Sequence, residues 1–171
     1  GVAQSDEAKA GAWVKDAVGW WYRYEDGSYP ASTQLRIDGA IYRFDARGYM
    51  VTGWAFEGGQ WFYHGVSGAQ VAGWANVNGI WYYLDPASGA MATGWVFVSG
   101  TWYYLGASGA MVTGWAHVDG AWYYLTPSGA MAIGWLNEDG SWYYLDPATG
   151  AMVTGSQQVD GVAYTFGPDG R

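Results

Sequence analysis

The 171-residue chain has no cysteine, so neither disulfides nor thiolate metal sites hold it together. Basic residues are scarce. Seven Lys and Arg stand against fifteen Asp and Glu, a formal net charge of −8. That balance excludes the usual electrostatic footprint of a nucleic-acid or anionic-membrane binder and favours cationic or neutral ligands. No stretch approaches the ~18 consecutive apolar residues of a membrane span, so no membrane insertion is expected. Gly1-Val2-Ala3 opens no signal peptide, and the chain reads as a mature or excised piece.

What is abundant is aromatic and glycine: 19% aromatics, 13 Trp and 28 Gly. Their spacing is periodic. The run from Gly73 to Thr93, GWANVNGIWYYLDPASGAMAT, recurs with starts at Gly53, Gly73, Gly94, Gly114, Gly134 and Gly155. Units this short cannot each bury an apolar face, so they must stack on their neighbours. Asn78-Gly79 between β-branched and aromatic residues predicts a two-residue type I′ hairpin, because both positions tolerate positive φ. Gly58-Gly59, Ser99-Gly100, Asp119-Gly120, Asp139-Gly140 and Asp160-Gly161 repeat the signal. The register then pairs Val77 with Ile80, Asn76 with Trp81, Ala75 with Tyr82 and Trp74 with Tyr83. Parity puts Trp74, Asn76, Trp81 and Tyr83 on one face and Ala75, Val77, Ile80, Tyr82 and Leu84 on the other.

The expected organisation is a flexible lead or linker over residues 1–11 and one repeat domain over 12–171. Its regular copies cover 53–154 and its ends are degenerate. The opening unit, with Trp13 and Gly19-Trp20-Trp21-Tyr22, is atypical, and Gln34 and Ile41 stand where later units carry Trp. In the last unit Ser156 and Ala163 replace both Trp. Return loops containing Asp85-Pro86 and Asp146-Pro147 are one residue longer than the loop at Thr126-Pro127, a difference that loops can absorb.

The copies GWAFEGGQWFYH, GWANVNGIWYYL, GWVFVSGTWYYL, GWAHVDGAWYYL and GWLNEDGSWYYL, joined by SGAM or TGAM returns, resemble the cell-wall-binding repeat family. These are the choline-binding modules of bacterial surface proteins and lysins, with related glucan-binding repeats. The resemblance covers roughly Trp13 to Gly170 and implies an all-β fold: a solenoid of about eight stacked β-hairpins in a left-handed superhelix. It also implies an extracellular, cell-wall-associated module attached to a catalytic or effector domain. In that family a choline headgroup sits between hairpins, held by two Trp of one and an aromatic of the next. The resemblance places the Trp pairs at Trp54 and Trp61, Trp74 and Trp81, Trp95 and Trp102, Trp115 and Trp122, and Trp135 and Trp142. It places the next-hairpin aromatic at Tyr83, Tyr104, Tyr124, Tyr144 and Tyr164, with Met91, Met111, Met131 and Met152 at the cage edge. Family repeats often carry Lys after the Gly-Trp; here Ala55, Ala75, Val96, Ala116 and Leu136 occupy that place, and Gln70 replaces one return Met.

The chemistry fits a quaternary ammonium, which donates no hydrogen bond and is held by aromatic faces. The partner implied is choline or phosphocholine of teichoic acid. A neutral wall glycan stacked on the same rings is the alternative, and a structural or self-association module, including a homodimer through a terminal hairpin, is a third. Tyr82, Tyr103, Tyr123 and Tyr143, beside Leu84, Leu105, Leu125 and Leu145, read as packing. No enzyme is expected. His64 and His117 stand in different repeats, Asp119, Asp139 and Asp160 are explained by turn chemistry, and nothing forms a nucleophile triad, metal set or phosphate loop. No catalytic residue, metal or cofactor is assigned.

Overall fold

The structure, a computed structural model, describes residues 6–171. Among these residues it is all-β: sixteen five-residue strands pair in sequence order as eight antiparallel hairpins. Hairpin 1 joins β1 (Gly11–Lys15) to β2 (Trp20–Tyr24), and hairpin 2 joins β3 (Thr33–Ile37) to β4 (Ala40–Phe44). Hairpins 3 and 4 are β5 (Gly53–Glu57) with β6 (Gln60–His64) and β7 (Gly73–Val77) with β8 (Ile80–Leu84). Hairpins 5 and 6 follow as β9 (Gly94–Val98) with β10 (Thr101–Leu105) and β11 (Gly114–Val118) with β12 (Ala121–Leu125). Hairpins 7 and 8 are β13 (Gly134–Glu138) with β14 (Ser141–Leu145) and β15 (Gly155–Val159) with β16 (Val162–Phe166). The chain divides into two compact units, the first ending at Ala92 and the second running from Thr93 to Arg171.

Register and turns are those read from the sequence. Val77 pairs with Ile80, Asn76 with Trp81, Ala75 with Tyr82 and Trp74 with Tyr83. Asn78 and Gly79 both have positive φ, 53° and 86°, which is the type I′ requirement. Hairpin 1 differs: its loop is Asp16–Gly19, closed by the Asp16 N–H donating to the Gly19 carbonyl at 3.0 Å. The Asp16 carboxylate also accepts from the Val18 and Gly19 amides. Of the stretch expected to be a lead, residues 1–5 lie outside the described residues. Residues 6–8 run beside β3: Ala8 N–H donates to the Arg36 carbonyl at 2.9 Å, and Arg36 N–H to Asp6 at 2.8 Å.

Hairpins 2–8 each bury the residue at the end of their second strand, whereas hairpin 1 buries Tyr22 in the middle of its own. Phe44, Leu84, Leu105, Leu125 and Leu145 are fully buried, Phe166 nearly so, and His64 takes the same place in hairpin 3. A buried Leu contributes about 1.5–3 kcal/mol. From there the chain returns to pair with the preceding hairpin of its unit. Met50 N–H donates to the Trp20 carbonyl, Met91 to Trp61, Met131 to Trp102 and Met152 to Trp122, all at 2.7–2.9 Å. These bonds satisfy strand-edge carbonyls and stack hairpin on hairpin within each unit.

The longer return loops keep this pairing by changing turn class. Gly129 N–H bonds the Thr126 carbonyl three residues back, whereas Gly89 and Gly150 reach four residues back, to Asp85 and Asp146. In the longer loops the Asp carboxylate holds the extra residue. Asp85 accepts from the Ala87 and Ser88 amides at 2.8 and 2.9 Å, and Asp146 from Ala148 and Thr149. Those amide bonds hold the Asp85 carboxyl below its usual pKa.

Candidate aromatic cages

Within a hairpin the Gly-Trp tryptophan lies against its register partner, the second tyrosine of the Trp-Tyr-Tyr run. Trp54 and Tyr63, Trp74 and Tyr83, and Trp95 and Tyr104 have ring centroids 4.9 Å apart, with Trp115 and Tyr124 at 5.1 Å and Trp135 and Tyr144 at 5.0 Å. The second Trp stands nearly perpendicular to the first, at 6.5 Å for Trp54 and Trp61, 6.4 Å for Trp95 and Trp102, and 6.3 Å for Trp135 and Trp142.

The ring that crosses from the next hairpin is a different one from that expected. Tyr82 meets Trp54 at 4.8 Å, Tyr123 meets Trp95 at 4.9 Å, Tyr143 meets Trp115 at 4.8 Å and Tyr164 meets Trp135 at 4.8 Å. The crossing residue is therefore the first tyrosine of the run, and Tyr83, Tyr104, Tyr124 and Tyr144 stay with their own hairpin. Parity supplies the reason. The second Tyr is paired with the Gly-Trp residue and shares its face, while the first Tyr points to the opposite face. Within each unit, hairpins stack Trp face against the Tyr-Leu face of the next, so the face expected to be packing also carries the crossing ring. Tyr164 belongs to this set by position, since β16 carries it third in the strand, where β8 carries Tyr82.

Exposure separates the two tryptophans. Trp61, Trp81, Trp102 and Trp122 remain 42–43% exposed, and Trp142 is 57% exposed. The first Trp of most pairs is half-buried. Phe56, Phe97 and His117 lie over Trp61, Trp102 and Trp122 at 4.9, 5.0 and 4.7 Å, which puts His117 at a cage margin. The return methionines reach each cage through their backbone bonds to the second Trp, while their side chains press on the next return glycine. The space a Cβ on Gly68, Gly129, Gly150 or Gly170 would need is filled by Met50, Met111, Met131 or Met152.

Two features beyond the expected set stand out. Hairpins 1 and 2 enclose a cavity of about 310 Å³ lined by Trp13, Trp20, Tyr42 and Met50, with Val66 and Ser67 at its side. Trp13 and Tyr42 are 4.9 Å apart, and the Lys15 ammonium lies 5.8 Å from the Trp20 ring. It is the same kind of constellation: two Trp of one hairpin, a Tyr of the next and a return Met. In sequence it was marked by Gly19-Trp20 and by Met50. Glu138 provides the second feature, accepting a hydrogen bond from the Tyr124 hydroxyl at 2.9 Å. That carboxylate raises the Tyr124 pKa and sets negative charge one ring away from Trp115. No group of three or more His, Asp or Glu suited to a metal occurs among the described residues, and no helix there is long and apolar enough to cross a membrane.

Fold and rings define a protein of stacked hairpins in which, within each unit, half-exposed tryptophans stand beside a tyrosine of the next hairpin. The choline-binding repeat model matches residues 71–113 and 112–156, and a cell wall binding repeat model matches 52–69. The chain belongs to the choline-binding repeat family. No curated protein matches the chain by sequence. Among solved structures, choline-binding protein F of Streptococcus pneumoniae is 36% identical over 88% of this chain and 54% of its own, with a TM-score of 0.78. That protein has also been solved in complex with ipratropium and in the presence of a peptidoglycan analogue. CbpJ of the same species is 32% identical over 98% of this chain and 65% of its own, with a TM-score of 0.82. The pneumococcal modular autolysin LytC is 29% identical over 91% of this chain and 37% of its own, with a TM-score of 0.64. The chain thus spans about half to two thirds of the first two relatives and little more than a third of the autolysin.

Proposed function

We propose that this cell-wall-binding module anchors an extracellular bacterial protein by capturing choline of teichoic acids between its hairpins, without catalysis of its own. The carrying observation is the exposure of the second tryptophans, 42–43% at Trp61, Trp102 and Trp122, beside half-buried rings that already form the other walls. Packing alone would cover those indoles. Perpendicular aromatic faces suit a trimethylammonium group, which needs no hydrogen-bond acceptor and gains about 0.5–2 kcal/mol per ring. Three rings give a few kcal/mol, against ~4 for a millimolar site. Single sites are therefore weak, and several on one polymer-facing module gain avidity of ~10²–10⁴ where spacing allows simultaneous engagement. The net charge of −8 favours a cation over a bare anion.

The cages so proposed are Trp54, Trp61 and Tyr82 with Met91; Trp95, Trp102 and Tyr123 with Met131; Trp115, Trp122 and Tyr143 with Met152; and Trp135, Trp142 and Tyr164. Trp74 and Trp81 supply another Trp pair, and Trp13, Trp20, Tyr42 and Met50 the first cage. Thermal melts with millimolar choline chloride, sodium chloride or maltose test the reading, because a ligand of the folded state raises the midpoint. A rise with choline beyond that with sodium chloride is expected, whether or not maltose adds a rise of its own. A rise with maltose alone would replace choline by a neutral glycan, and no rise with either would leave a structural module.

A further inference from the structure

Hairpin 2 breaks the aromatic pattern, and between it and hairpin 3 a cavity of about 470 Å³ takes the place of the cage. Its walls are Gln34, Arg43, Glu57, Gln60, Phe62 and Ser88. Gln34 and Ile41 occupy the strand positions at which β5 and β6 carry Trp54 and Trp61, and Arg43 stands where β6 carries Tyr63. Of the rings that build a cage elsewhere, only the crossing one is kept, as buried Phe62. We infer that this cavity is a separate binding site for a neutral, hydroxyl-bearing pyranose sugar.

Charge balance selects the ligand class. Arg43 Nη2 lies 3.0 Å from Glu57 Oε2, with the two side chains 21% and 48% exposed. A cation entering the cavity meets the guanidinium and an anion meets the carboxylate, so a neutral molecule is the one that neither repels. The pair uses one of the five guanidinium donors and leaves carboxylate lone pairs accessible. A sugar hydroxyl donates once and accepts twice, so adjacent hydroxyls can accept from Arg43 while donating to Glu57. Gln60 adds an amide donor and acceptor, while the Ser88 hydroxyl, held by the Ala90 amide and Asp85, closes one side. A few polar groups converging over an apolar floor, within a cavity of this size, are the usual makeup of a small-ligand site.

The turn beside the cavity is cut back. Hairpins 2 and 4–8 place Asp38, Asn78, Ser99, Asp119, Asp139 or Asp160 at the first turn position, whereas hairpin 3 has Gly58 there. Nothing lies within 4 Å of the Cβ position of Gly58, which leaves room at the mouth where its side of the cavity is lined by backbone alone. This site does not depend on the cages, and choline is not its ligand.

The experiment is a titration of the whole chain followed by side-chain amide NMR signals of Gln34 and Gln60. The probes are methyl β-D-glucopyranoside and N-acetylglucosamine, with choline chloride and sodium glucuronate as controls. Expected are saturable shifts of both amides with at least one neutral sugar, none with choline, and a loss of affinity of at least about threefold in Gln60→Ala. Gln60 is exposed beside a turn, so this variant keeps the fold; an unchanged melting midpoint verifies it. The inference is overturned by the absence of saturable shifts with either sugar up to about 0.1 M. Equal or tighter binding of glucuronate, or sugar binding that Gln60→Ala leaves intact, overturns it as well.

Discussion

His64 Nδ1 lies 2.9 Å from the Gly68 carbonyl oxygen, in the core position that hairpins 4–7 give to leucine. The ring is 1% exposed and its Nε2 has no hydrogen-bond partner. It is neutral, with the Nδ1–H donating to Gly68.

Burial, and then the positive charge of Arg43, press the His64 pKa below its ordinary 6.5, against the opposing Gly68 bond. Below about pH 6.5 the unfolded chain takes up a proton that the folded chain refuses. Stability therefore holds above that pH, falls as pH drops through it, and levels off only below the depressed folded pKa. His64→Leu should abolish this slope. Melts between about pH 8 and 5.5 check it: the variant stays within ~1 kcal/mol of the parent at high pH, where a lost hydrogen bond offsets better burial. At low pH the variant is the more stable. Parallel curves for the two proteins would contradict the assignment.

Met131 fills the space that a side chain at Gly150 would need, and Gly150 has φ +79°. Gly150→Ala meets both obstacles, and the left-handed backbone alone costs roughly 1–2 kcal/mol. Met131→Ala removes the clash but not the strain. In urea unfolding the double variant should lose less than the two singles together, by about 1 kcal/mol or more. Strict additivity would mean that the methionine does not seat on the glycine.

Much of this architecture was readable in the chain. Asn78-Gly79 identifies the turn, the turn sets the register, and the register assigns every face of the hairpin. What parity cannot say is which face of the next hairpin comes to meet it. Tyr82 therefore reads as packing, and the family resemblance alone makes Tyr83 the crossing ring, although backbone pairing keeps Tyr83 beside Trp74. The first cage was hidden for a local reason: the loop at Asp16–Gly19 has four residues, and Trp13 is third in its strand where the later units have Trp second. The polar cavity was visible only as missing tryptophans, because Arg43 and Glu57 come from different hairpins and no spacing rule joins them.

Lys15 makes the first cage differ from the rest. Its ammonium lies 5.8 Å from the centre of the Trp20 ring, where it would compete with the proposed choline. Lys15→Ala should strengthen choline binding there by about 0.5–1 kcal/mol, two- to fivefold. The Trp20 indole signal would then shift at lower choline concentration, with Trp102 and Trp122 unmoved. Weaker binding after the substitution would show that Lys15 supports the site.

Neighbouring tyrosines of one strand should act on different cages. Tyr123 crosses to Trp95 at 4.9 Å, while Tyr124 rests on Trp115 at 5.1 Å and donates to Glu138. Tyr123→Leu removes the third wall of the cage at Trp95 and Trp102. The loss of one ring contact, about 1–2 kcal/mol, weakens choline there roughly five- to thirtyfold. The cage at Trp115 and Trp122 keeps Tyr143 and should be unaffected. Tyr124→Phe retains the ring on Trp115 but releases the Glu138 carboxylate, so its effect should be confined to the Trp115 and Trp122 cage and should diminish with added salt. Indole NMR signals of Trp102 and Trp122, followed through one choline titration of each variant, distinguish the two sites. If Tyr123→Leu weakened both equally, the tyrosine would be serving the stability of the stack. If it weakened only the site at Trp122, the crossing ring would be the second tyrosine after all.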